Sequence, residues 1–252
     1  MKKVNLEVCC GSAEDVIEAY KAGADRVELN SNLFHGGLTP TLGSLLVAKR
    51  ETDFPVMTMI RPREGGFCYT DTEFKVAVED AKAMVTHGSD GLVFGFLREN
   101  GTVDISRSRV IAEIAQEKGL QTVFHRAIDV VPDWKEALDM LIELKITRVL
   151  TSGQCYDVSY AAPVVKAMIE YAAGRIEILP GAGLTNANVQ RFVTESGCTQ
   201  VHMAAHRLMF DTSTANNRSI FYGGCLYPPE DRFKVTDGAY IGNVVSMLGE
   251  KK

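Results

Sequence analysis

Four ionisable residues, Glu7, Glu28, Arg61 and His125, sit in otherwise apolar segments: Leu6-Glu7-Val8, Val27-Glu28-Leu29, Ile60-Arg61-Pro62 and Phe124-His125. An isolated buried ion is very costly, so each of the four must be paired or hydrogen-bonded. One outcome is that they neutralise one another as a structural network. The other is a catalytic site, since titratable groups in such surroundings are the ones whose acidity is tuned for chemistry. In that case His125 acts as general acid/base, with Glu7 or Glu28 as its partner. Arg61 and Arg63 would clamp a carboxylate or phosphate through bidentate contacts. Arg126, Thr151, Ser152 and His202 lie where they can hold the same anion. Gly181-Ala182-Gly183, just before a helix near Thr185-Asn186, can present backbone N–H groups to it. Glycine is also the ordinary way to turn tightly out of a strand. Both readings apply again to Gly36-Gly37-Leu38-Thr39-Pro40. A small anion is thus the expected partner, and the reaction class of lyase, isomerase or hydrolase stays open.

Metal chemistry has weaker support. His202 and His206 are four apart but do not form a helical pair, which argues against zinc. The cysteines are Cys9, Cys10, Cys68, Cys155, Cys198 and Cys225, with no Cys-x-x-Cys pair and no compact disulfide spacing. They read first as reduced thiols, several of them buried as small hydrophobes. Cys9, Cys68 and Cys155 lie near strand ends, where soft thiolates could converge on Cu(I). No Gly-x-Ser-x-Gly elbow points to a serine hydrolase.

The elements that would position these residues alternate short apolar runs with amphipathic stretches. Expected strands are Val4–Cys10, Arg26–Asn30, Val56–Arg61, Gly91–Gly95, Gln121–Arg126, Arg148–Ser152, Ile176–Gly181 and Gln200–Ala204. Their spacing suits βα units. Helices are expected after Ser12, from Asp71 to about His87, over Ser106–Lys118, Asp133–Leu144 and Asn186–Ser196, and near Ala239–Leu248. Glycine closes several of them, at Gly23, Gly88, Gly119 and Gly197. Eight such units in 252 residues favour a closed (β/α)8 barrel in one domain spanning 1–252. Cys10-Gly11-Ser12-Ala13 lacks the dinucleotide-binding glycine fingerprint. The stretch Asp211–Asp237 reads as a long loop beyond the last strand. In a barrel of this kind the active site lies at the C-terminal strand ends, which is where the polar residues above fall.

Hydrophobic residues make up 46% and charged residues 23% of the chain, an ordinary globular balance. A formal net charge of −5 and the lack of a basic run argue against nucleic acid. Met1-Lys2-Lys3 resembles a signal-peptide start, but Glu7 interrupts the apolar stretch that follows. No run approaches the ~18 apolar residues that cross a bilayer. A cytoplasmic protein without a membrane partner is expected.

Several ordered segments resemble the CutC family over about Asn5 to Arg207. They are Leu6-Glu7-Val8-Cys9, Gly23-Ala24-Asp25-Arg26-Val27-Glu28-Leu29, Gly36-Gly37-Leu38-Thr39-Pro40 and Met59-Ile60-Arg61-Pro62-Arg63 with Phe67, Tyr69 and Glu73. The match continues through Gly91-Leu92-Val93-Phe94-Gly95, Phe124-His125-Arg126-Ala127 with Asp129, and Arg148-Val149-Leu150-Thr151-Ser152-Gly153. The resemblance implies a TIM-type barrel, a cytoplasmic location and homo-oligomers. It also implies copper homeostasis, with Cu(I) held by thiolates near the first two strands and Cys9 as a ligand. The chain departs from the family at Asn30, where a cysteine is usual, at Val123 in place of threonine, and at Ala204 in place of serine. A hard amide oxygen is a poor substitute for a thiolate. Three functions therefore stand as expectations: copper homeostasis with Cu(I) binding, an enzyme acting on a small anionic metabolite, and a non-catalytic barrel scaffold.

Overall fold

The computed structural model describes residues 3–223 and 229–249. Eight parallel strands form the barrel: β1 (Asn5–Cys10), β2 (Arg26–Leu29), β3 (Val56–Met59), β4 (Gly91–Phe94), β5 (Gln121–Phe124), β6 (Arg148–Thr151), β7 (Glu177–Pro180) and β8 (Gln200–Met203). Each pairs with its sequence neighbour, and β1 also pairs with β8. The circuit is completed between β7 and β8 by one bridge, Gly181 with His202. The expected strands are all present, and every one but the first ends one or two residues early. Asn30, Arg61, His125, Ser152 and Gly181 therefore sit just beyond strand ends rather than inside them.

The outer helices are α1 (Ala13–Lys21), α2 (Leu42–Glu51), α3 (Asp71–Thr86), α4 (Ile105–Gln116), α5 (Trp134–Glu143), α6 (Ala162–Ala172), α7 (Val189–Ser196) and α8 (Gly238–Leu248). Short polar side chains set their starts. Ser12 accepts the Asp15 N–H, and Thr70 with Glu73 forms a reciprocal capping box. Helices α2 and α6 are additions to the expected set. Helix α6 opens on Ala161 without a side-chain cap, with proline in its first turn, so its start carries little sequence signal.

Alternation along each strand divides the side chains. Outward residues such as Leu6, Val8, Val27, Leu29, Leu92 and Phe124 pack under the helices in a continuous buried core. Met57, Met59, Val93, Val123, Leu150 and Leu179 form a second, smaller core inside the barrel. Below it, the first residues of five strands form a polar floor. Arg26 donates to Gln200 at 2.6 Å, Gln200 to Glu177 at 3.2 Å, and Arg148 to Glu177 at 2.7 Å and Gln121 at 3.1 Å. Above the apolar layer lies the mouth.

Within the stretch expected as a loop, Asp211–Asp237, one segment is a strand, and its partner lies just before that stretch. His206–Phe210 (β9) pairs antiparallel with Arg232–Thr236 (β10), tied to α1 by the Thr236 N–H on the Asp15 carboxylate. All five β9 residues are exposed, so no apolar-in, polar-out alternation marks it as a strand. Residues 224–228, Cys225 among them, and the terminal runs Met1-Lys2 and Glu250-Lys251-Lys252 lie outside the described residues. Among the described residues, no helix is long and apolar enough to cross a membrane.

Candidate functional site at the barrel mouth

A cavity of about 460 Å³ opens at the C-terminal strand ends. Cys9, Glu28, Arg61, His125, Arg126, Gly183 and His202 line it, with Phe67 and Leu150 among its apolar walls. The volume falls in the range of pockets for small molecules.

Glu28 is 3% exposed and anchors one wall. Its Oε2 accepts from Asn30 Nδ2 at 2.9 Å and faces the Cys9 thiol at 3.7 Å, while Oε1 has no partner. Burial raises its pKa above the ordinary carboxyl range, and His202 only partly offsets this. Burial, then the Glu28 carboxylate, pushes the Cys9 thiol well up. Asn30 turns its amide nitrogen, not its oxygen, toward Cys9 at 3.6 Å.

His202 presents its Nδ1 to Glu7 Oε1 at 2.8 Å. Burial alone would lower its pKa, but Glu28 and then Glu7 outweigh that and raise it. The carboxylate fixes a proton on Nδ1 and leaves Nε2 as the position that can bind. Glu7 does not line the cavity. It lies one inward step below Cys9, paired with Arg26 and His202. Burial opposes its ionisation, yet Arg26 and then His202 hold it well below the usual carboxylate range. Of the four residues expected to meet, Glu28, Arg61 and His125 share the mouth, and Glu7 supports it from beneath. Glu7 is neutralised by Arg26, whose contribution the sequence did not reveal.

Arg61 is held rather than free. Nη1 donates to the carbonyls of His35 and Gly37 at 3.0 and 2.8 Å, and Nη2 to that of Gly65 at 2.8 Å. The Gly36-Gly37 loop thus offers acceptors to a cation, not amides to an anion. The guanidinium rides over the Phe67 ring, 5.4 Å from its centroid, and Nε has no partner. The imidazole of His125 also packs on Phe67, with 4.8 Å between centroids. His125 Nδ1 accepts the Ala127 N–H at 3.1 Å, so the proton of the neutral ring sits on Nε2, which is buried and unpartnered. Burial, then the Arg61 charge, lowers its pKa to about 3. His125 is therefore a neutral hydrogen-bond donor at neutral pH, a role different from the general acid/base expected of it. Gly95 makes room for it, because a Cβ there would strike the imidazole.

Arg63 lies away from the mouth. It donates to Glu73 at 2.7 Å and to the carbonyls of Glu64, Gly66 and Cys68. Thr151 and Ser152 do not line the cavity either. Thr151 donates to Asp129 at 2.6 Å, and the Ser152 N–H does so at 2.9 Å. Arg126 reaches the mouth while donating to Asp129 and Ser152, both at 2.9 Å. Gly181 closes the barrel against His202, where a Cβ would lie 3.0 Å from the His202 Cβ. Ala182, Gly183 and Leu184 line the cavity, and their backbone amides make no hydrogen bond within the described residues. Cys68 is exposed, and neither it nor Cys155 joins the ligand cluster, so no multi-thiolate site forms among the described residues. Among the described residues the possible metal cluster is Cys9, Glu28 and His202, with one ligand atom from each lying within 4.8 Å of the others. The donor set fits a thiophilic ion: a sulfur, an imidazole nitrogen backed by a carboxylate, and an unmet carboxylate oxygen.

Fold and mouth together define a (β/α)8 barrel with a cavity at its C-terminal rim. The chain belongs to the CutC family, whose model matches residues 4–207. A family protein CutC of Treponema denticola is 51% identical over 98% of this chain and 100% of its own length. The human copper homeostasis protein cutC homolog is 41% identical over 92% of this chain and 84% of its own. CutC from Streptococcus agalactiae, solved by crystallography, superposes with a TM-score of 0.75 at 37% identity, covering 79% of this chain and 98% of that one. An aldolase, QR15, shares the fold alone, with a TM-score of 0.56 at 16% identity.

Proposed function

We propose that this protein serves copper homeostasis by capturing Cu(I) at Cys9, His202 and Glu28. The observation that carries the reading is the approach of these three ligand atoms to within 4.8 Å, with His202 oriented by Glu7. Metal-bound histidines characteristically pass their second N–H to a carboxylate in this way. Bound copper would supply a soft cation that displaces the Cys9 proton, and it would supply the partner that Glu28 Oε1 lacks. The names of the human and mouse relatives point the same way. A reducing cytoplasm would keep Cys9 a thiol. Leu208, Phe210 and Phe233, exposed on the ribbon, support homo-oligomers formed by a single barrel domain.

The test is anaerobic Cu(I) titration against a chromophoric chelator. One ion per chain is expected, with binding abolished in Cys9→Ser and strengthened in Asn30→Cys, which adds a second soft ligand. Affinity unchanged in Cys9→Ser would overturn the proposal.

A further inference from the structure

Two buried donors in the mouth are left unexplained by a metal. Arg61 is 6% exposed and His125 4%, and Arg61 Nε–H and His125 Nε2–H have no partner. Both are N–H groups, and a cation offers them nothing. Leaving a buried donor unmet forfeits the hydrogen bond it had to water, and the loss is larger when the donor is charged. Both residues line the same cavity, and both pack on the Phe67 ring. The remaining Arg61 nitrogens are consumed by three carbonyls, so the guanidinium is fixed in place. His125 is likewise locked by the Ala127 amide, with its donor position defined.

From this geometry we propose that the mouth binds a small organic carboxylate, whose oxygens accept from Arg61 Nε–H and His125 Nε2–H. Phe67, Met59 and Leu150 supply an apolar wall for the ligand body. The unbonded amides of Ala182, Gly183 and Leu184 provide further donors on the same cavity. The cavity leaves room for a ligand of a few carbon atoms beside the Cys9–Glu28–His202 cluster. Because a neutral imidazole donates without adding charge, Arg61 is the charged member of this donor pair and His125 the neutral one.

The probe is pyruvate, with the neutral amide pyruvamide as its matched control, titrated calorimetrically into the full chain. Nitrogen NMR of the His125 ring is recorded in parallel. Pyruvate is expected to bind and to shift the His125 Nε2–H resonance, while pyruvamide binds at least tenfold more weakly. His125→Phe keeps an aromatic ring but removes the donor, and is expected to weaken pyruvate roughly tenfold or more. Circular dichroism of that variant confirms folding. If it does not fold, the wild-type Nε2–H shift decides. Equal affinity for the two probes, a proton found on Nδ1, or an Nε2–H resonance unmoved at saturation would overturn the proposal. Inorganic phosphate binding more tightly than pyruvate would do the same. Cu(I) content is measured on the same samples. Loss of metal binding with pyruvate binding retained, or the reverse, separates failure of this inference from failure of the metal site.

Discussion

Replacing Glu7 by glutamine tests the support beneath the mouth. Glu7 is 1% exposed and Arg26 7%, and the carboxylate accepts from Arg26 on one oxygen and His202 on the other. Glutamine keeps one acceptor oxygen and replaces the other with an NH2 donor, so it can serve only one of the two. Arg26 retains Gln200 at 2.6 Å, but that partner is neutral. Removing one member of a buried pair leaves an uncompensated charge and costs about 3–5 kcal/mol. For a chain of this size that corresponds to a fall in Tm of roughly 6–20 °C. Urea unfolding followed by circular dichroism gives the free energy directly, and Glu7→Gln/Arg26→Met should recover much of the loss. The sign with pH follows from the depressed carboxyl. Its contribution is fully present above the ordinary value of 4.5 and is lost as pH falls toward the lower folded value. The gap between wild type and variant should therefore narrow below about pH 4.5. A loss at neutral pH below about 1 kcal/mol, the level of an exposed pair, would refute the reasoning. A gap that does not change with acid would refute it too.

Other outcomes can be checked in parallel. At neutral pH, Cys9 in the native protein should resist iodoacetamide while exposed Cys68 is labelled, and unfolding should remove the difference, as read by peptide mass spectrometry. Gly183→Ala should destabilise by roughly 1–3 kcal/mol, because its φ of +92° disfavours a side chain and a Cβ would strike the Asp157 carboxylate. Gly119→Ala, with φ +69° and open space around it, should cost less in the same unfolding assay.

The strands were legible because each is a short run of Val, Ile, Leu, Met or Phe, closed off by glycine or a polar residue. Period-two alternation also put Glu28, Arg61 and His125 on inward faces near strand ends, where the structure finds them lining one cavity. Depth was not legible. Glu7 and Cys9 share a face, yet two residues of strand rise separate the layer that binds Arg26 from the layer that meets the mouth. The ring from Arg26 through Gln200 and Glu177 to Arg148 joins residues far apart in the chain, and only barrel closure brings them together. The role of His125 was hidden for another reason. Residue type suggests a proton carrier, whereas one backbone amide, from Ala127, decides which nitrogen bears the hydrogen. The ribbon after β8 escaped because its first strand is exposed throughout.

His202 occupies an unusual position in the architecture. It forms the bridge to Gly181 that completes the cylinder, and it also turns its ring onto Glu7 at the edge of the pocket. The weakest stave joint and the rim of the pocket thus share one residue. A change at that single side chain would be felt by the seam and by the opening at once.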